Sequence, residues 1–280
     1  MKTRKNFTLS GLFFIILMIS FTLSSCVNSS KDGSKKETQE KSKSIVSDLD
    51  NDVSEFVYPL PSAYEVTELL NNIGIGYMLG MSNSVENVSR YFTAKSKAYN
   101  MGIYATDLSY ASTYKMTQET MLYLEALNQL GSDLGISSIY NEDLLKSIES
   151  NVNNKDSLIE IISITINETY DYLNKNGKGD LSILMVAGGW IEGMYLTTNV
   201  SENYQNNPEI VKVIYAQKPS LVSLLKIADE RKENSEIQEL IDDLQPIKKA
   251  YDDVTNANLT DDQIRAIASA VETLRTKHIS

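Results

Sequence analysis

Five short matches recur in the same order along the chain at a nearly constant separation, the mark of an internal repeat. Gly76-Tyr77-Met78-Leu79-Gly80-Met81 pairs with Gly189-Trp190-Ile191-Glu192-Gly193-Met194, 113 positions on. Ile103-Tyr104-Ala105 pairs with Ile214-Tyr215-Ala216, and Ile136 and Tyr140 pair with Ile247 and Tyr251, both 111 on. Asn151-Val152-Asn153 pairs with Asn256-Ala257-Asn258 at 105, and Asp156, Ile159, Ile162 and Ile166 then align with Asp261, Ile264, Ile267 and Val271. The pattern predicts a duplication of about 110 residues. It also settles the state of the Ile-rich stretch 158–166, which β-propensity alone would make a strand. Its counterpart 264–271 is Ala-rich, with Ile264, Ile267, Val271 and Leu274 on one helical stripe.

The expectation is therefore an all-α body, a helical bundle of two tandem, pseudo-twofold-related repeats of about five helices each. Repeat 1 covers residues 56–176 and repeat 2 residues 177–280. The predicted helices are 62–81, 84–100, 103–131, 141–151 and 155–175, then 180–199, 208–217, 219–245, a short one near 247–254, and 260–277. Capping boxes at Ser62–Glu65 and Thr260–Gln263, and Asn207 before Pro208, mark helix starts. Gly102, Gly135 and Gly177 are expected at helix stops, and Pro219 and Pro246 at ends or kinks. Gly76 and Gly80, like Gly189 and Gly193, are four apart. On helices they would let the first helices of the two repeats cross closely near the pseudo-twofold axis, or let each glycine face pack inside its own repeat. A dinucleotide-binding reading of 74–80 fails on spacing and on the lack of a preceding strand.

Composition removes several function classes. The 280 residues hold one Cys and one His, so neither an internal disulfide nor a His/Cys metal centre can be assembled, and no metal or cofactor is expected. With 26 basic against 37 acidic residues the formal charge is −11, which argues against nucleic acid as a partner. Residues 1–25 read as a secretory signal: Lys2, Arg4 and Lys5, then the apolar run from Leu12 to Ile19. That run is too short to span a bilayer. Leu23-Ser24-Ser25-Cys26 resembles a bacterial lipobox, and the chain's single Cys stands where lipid is attached. Cleavage before Cys26 leaves a chain of charge −14, held on a membrane by acyl chains, each buried CH₂ contributing about 0.8 kcal/mol. Residues 26–55 are polar and charged without a spaced apolar face, and read as a flexible tether spanning about 30 Å as a coil. An extracytoplasmic place on the outer membrane follows from this reading.

Candidate chemistry is sparse. Glu192 is the only charge between Leu181 and Thr198. Beside Trp190, Met185 and Met194 this carboxylate either faces water at the edge of the apolar stripe or is buried, and a buried acid takes a partner, a raised pKa or a ligand. Tyr104, Asp107 and Tyr110 share a helical face with Tyr114, a surface suited to stacking on and hydrogen-bonding a sugar or peptide. Ordinary packing with hydroxyls at the rim is the competing reading of these tyrosines. A His-based triad does badly, because His278 continues the stripe of Leu274 at the end of the last helix. The paired acids Asp242-Asp243, Asp252-Asp253 and Asp261-Asp262 are adjacent and so diverge on a helix.

Tyr58-Pro59-Leu60-Pro61-Ser62, the run from Gly102 to Tyr110 and Gly188-Gly189-Trp190-Ile191-Glu192-Gly193 together resemble a group of Bacteroidota lipoproteins over most of residues 56–280. The resemblance implies a lipoprotein but brings no reaction and no catalytic residues. The body is not similar to imelysin-like lipoproteins, whose Gly-x-His-x-x-Glu signature needs a His that is missing here. The functional expectation is a lipid-anchored binding or scaffold module holding an envelope protein, a peptide or a small molecule between its repeats. A hydrolase or lyase working through Glu192, Asp107 and tyrosines is the alternative.

Overall fold

A computed structural model describes residues 63–152, 154–199 and 207–280. The signal segment, Cys26 with its lipobox, the 26–55 tether and the Ser62 cap lie outside the described residues. Among the described residues the chain is all-α, with nine α-helices, one 3-10 helix and no strand. In chain order these are α1 (Ala63–Asn72), the 3-10 helix (Val85–Arg90), α2 (Ala94–Thr113), α3 (Thr117–Asp133), α4 (Glu142–Asn151) and α5 (Lys155–Lys175), followed by α6 (Gly179–Asn199), α7 (Pro208–Asp229), α8 (Ser235–Asp252) and α9 (Asp261–Ile279).

Two of them form the axis. α2 is buried without interruption from Ala98 to Thr113, and α6 over most of its length; helices buried all round lie at a centre. Small polar residues are tolerated inside α2 because their hydroxyls bond to its own carbonyls. Ser109 donates to Ala105, Ser112 to Leu108 and Thr113 to Ser109, at 2.6–2.9 Å. Where α2 crosses α6 the two backbones touch. A Cβ on Gly102 would stand 1.9 Å from the carbonyl oxygen of Met185, and one on Gly188 would stand 2.0 Å from that of Tyr99. The other helices pack around this pair: α1, α3 and α5 against α2, and α7 and α9 against α6, with α8 between α7 and α9. Among the described residues no helix is long and apolar enough to cross a membrane.

Several expected boundaries hold, among them α5, α6 and the Thr260–Gln263 capping box of α9. Others are corrected. Gly102 does not stop a helix; it sits inside α2 at the crossing, and the chain breaks instead at Lys115, whose φ is +58°. α7 runs through Pro219 and α8 through Pro246, so no separate helix exists near 247–254. Both prolines are exposed, and a side-chain donor reaches a carbonyl in the turn before each: Tyr251 to Ile214 and Gln245 to Ile241. α1 ends at Asn72, with Gly74 (φ +81°) and Gly80 (φ +82°) in left-handed conformations beyond it. Gly76 and Gly80 therefore share no helix face, and Gly80 and Gly193 each have open space where a Cβ would point. The predicted crossing at Gly76, Gly80, Gly189 and Gly193 is replaced by Gly102 against Gly188 and Gly189. The matched segments also differ locally: 76–81 is irregular where 189–194 is helical, and Ile136 and Tyr140 lie in a turn where Ile247 and Tyr251 are in α8.

Candidate functional site

Residues 73–93, irregular apart from the 3-10 helix, run as a strap antiparallel to α2. Non-helical backbone placed against a core needs partners for its N–H and C=O groups, and α2 supplies them from one stripe of side chains. Tyr114 donates its hydroxyl to the carbonyl of Ile75 at 2.8 Å, and the Tyr110 hydroxyl accepts the amide of Met78 at 2.9 Å. Asp107 Oδ2 accepts the amide of Asn83 at 3.0 Å, and Tyr104 donates to the carbonyl of Ser84 at 2.8 Å. Asn100 completes the row by accepting from the side-chain amide of Asn83 at 3.3 Å. The spacing 100, 104, 107, 110, 114 is that of one helical face. Tyr77 lies over this row, its ring 4.7 Å from Tyr110 and 5.8 Å from Tyr114, centroid to centroid.

Under the strap two acids meet. Glu192 of α6 is fully buried, as is Asp107 of α2. Arg275 of α9 holds Glu192 in a two-bond grip, Nε to Oε2 at 2.5 Å and Nη2 to Oε1 at 2.8 Å. The same Nη2 donates to the carbonyl of Met81 in the strap at 2.9 Å, and the guanidinium lies 3.9 Å above the ring of Tyr195. Burial pushes the Glu192 carboxyl up from its ordinary range, and Arg275 opposes the shift. Burial pushes Asp107 up much further, with the neighbouring Glu192 charge adding to it and Arg275 opposing. Asp107 Oδ1 and the nearby Ser82 Oγ are buried without a well-formed hydrogen bond.

The structure thus brings Glu192, Asp107, Tyr104 and Tyr110 together and leaves Trp190 out. Trp190 points the other way along α6, its Nε1 donating to Gln217 of α7 at 3.0 Å. Three contributors were not expected from the sequence: Arg275, Asn83 and Asn100. Arg275 stands four residues after Val271 on the buried stripe of α9, and a cation on an apolar stripe was the signal that a buried acid elsewhere had its partner. His278 belongs to a separate cluster. Its ring stacks on Tyr99 at 3.9 Å, and Nε2 faces Asp243 at 3.4 Å. Burial pushes it down to about 4 against the pull of Asp243, outweighing the helix end that would favour its cation.

Chemically, a carboxyl that resists ionisation beside an ion-paired carboxylate can hold or pass a proton. Here both are covered by the strap. The two large apolar side chains with the greatest exposure among the described residues lie on the strap: Phe92 at 84% and Leu79 at 78%. Comparison with protein-family models, with curated proteins and with solved structures gives no match.

Proposed function

We propose that the chain is a lipid-anchored, extracytoplasmic binding or scaffold protein, attached to the outer membrane through Cys26 and carrying its helical body on the 26–55 tether. Its partner is another envelope protein, met at the outer face of the strap through Leu79 and Phe92. The observation that carries this reading is the cover that the strap puts over the acid cluster. Tyr104, Asp107 and Tyr110 of α2 each bond the chain's own strap, and Glu192 is paired with Arg275. Large exposed apolar side chains held on a fixed segment favour a docking role. The alignment of Ile159, Ile162 and Ile166 in α5 with Ile264, Ile267 and Val271 in α9 supports a tandem origin for the body. The test is capture of native partners from detergent-solubilised envelopes by the full chain and by a Leu79→Ser/Phe92→Ser double variant. A stoichiometric protein held by the parent and lost by the variant is the expected result. Equal recovery by both would reject the strap face.

A hydrolase or lyase of the envelope is the second reading, favoured by one observation: Asp107 and Glu192 do meet, with raised pKa values. It requires the strap to open. Turnover of an envelope ester or glycoside that disappears in Asp107→Asn would establish it.

A further inference from the structure

We infer that one proton, held by Asp107 and shared with Glu192, is the latch that keeps residues 73–93 closed over α2. Two fully buried carboxyls share one guanidinium, so with both ionised the core would carry an uncompensated negative charge, which is costly away from water. Asp107 Oδ2 already accepts the Asn83 amide, while buried Oδ1 has only the Ser82 hydroxyl beside it, short of a well-formed hydrogen bond. As a carboxylate facing a second one, that oxygen would be a poorly satisfied acceptor. As a carboxylic acid it becomes a donor, and the Glu192 carboxyl, within its reach and negative, is the acceptor at hand. One proton then removes the excess charge and satisfies that oxygen together.

The latch closes on the strap because its members hold strap backbone at two adjoining places. Asp107 takes the amide of Asn83, and Arg275 gives to the carbonyl of Met81. Removing the proton leaves two carboxylates competing for Arg275 and draws it from Met81, while Asp107 is driven toward water. The groups facing Asp107 are Glu192 from α6, Arg275 from α9, Tyr123 from α3, Tyr104 and Tyr110 from α2 itself, and Tyr77, Ser82 and Asn83 from the strap. The phenols among them, pushed upward by burial, keep their protons while the acid loses its own. The strap is therefore closed while Asp107 keeps its proton and loosens as pH rises through the Asp107 ionisation. Its movement carries Leu79 with it.

The test uses the full chain with carbon-13 in its aspartate carboxyls, so that an aspartic acid band in the infrared separates from lipid esters. The expected result is a labelled carboxylic-acid band at pH 7 that disappears as pH rises. Over the same range, hydrogen-exchange protection of the Asn83 and Met78 amides should drop by more than about tenfold while that of α7 and α8 stays. Asp107→Asn, which keeps an acceptor for Asn83 and a donor for Glu192, should abolish the band and make strap protection independent of pH. Glu192→Gln should also abolish the band, because Asp107 then ionises to serve Arg275. The inference is overturned if no labelled band exists at pH 7, if either variant retains it, or if the band titrates in the parent without loss of Asn83 protection.

Discussion

Arg275 has four partners: both oxygens of Glu192, the carbonyl of Met81 and the face of Tyr195. Side chains of this kind are asymmetric to mutation, because removing one partner of a buried pair leaves the other uncompensated. Arg275→Met should cost about 3–5 kcal/mol in urea unfolding. Glu192→Gln should cost less, since Asp107 can ionise in its place, and the double variant should be more stable than the sum of the two predicts. Additive costs would mean that the two residues are not coupled. His278 gives a prediction of opposite character. Its folded pKa of about 4 lies below the unfolded value of 6.5, so the unfolded chain binds the extra proton first. Stability is full above pH 6.5 and falls as pH drops toward 4, by on the order of 2–3 kcal/mol for this residue. His278→Phe, which keeps a ring against Tyr99, should flatten that part of the stability–pH curve relative to the parent.

At the level of elements, the α2–α6 crossing depends on two residues having no side chain. Gly102→Ala and Gly188→Ala would each drive a methyl into a carbonyl of the facing helix, and each should cost about 3 kcal/mol or more by forcing the helices apart. Gly193, helical and with open space above it, should behave in the opposite way: Gly193→Ala should gain about 0.5–1 kcal/mol from helix propensity. Thermal unfolding of the three variants distinguishes this crossing from one built on the Gly-x-x-x-Gly pairs. The series also shows why parts of the fold were readable in the sequence. α5 and α6 were found nearly residue for residue because a cap or glycine signal coincides with a long apolar pattern. Gly102 was misread because a glycine that ends a helix and one that admits another helix look alike until φ is known. The spacing of Gly76 and Gly80 imitates a helix face, yet Gly80 adopts a conformation no helix contains. Likewise, the row Tyr104, Asp107, Tyr110 was visible as a polar face. What that face would meet, the chain's own strap rather than a ligand, depends on contacts far apart in sequence.

For the molecule as a whole, α9 closes what the earlier elements begin. It reaches α6 through Arg275–Glu192, the strap through Arg275 and Met81, α8 through Lys277 and Asp243, and α2 through the His278 carbonyl, which accepts from Asn100 at 3.0 Å. The Arg275–Met81 contact joins residues 194 apart, so α9 ties the end of the described chain back to the strap near its start. Until α9 docks, Glu192 and Asp107 lie under a strap that no cation anchors. Removing residues 272–280 should therefore do more than shorten a helix. The shortened chain should lose cooperative unfolding, and limited proteolysis should cut first within residues 73–93, ahead of the connections around Lys115 and Gly177. Supplying residues 261–280 as a separate peptide should restore protection of the strap if α9 acts by docking, and Arg275→Met in that peptide should remove the effect. First cleavage elsewhere, or rescue that does not need Arg275, would locate the closing step in the apolar stripe of α9 instead.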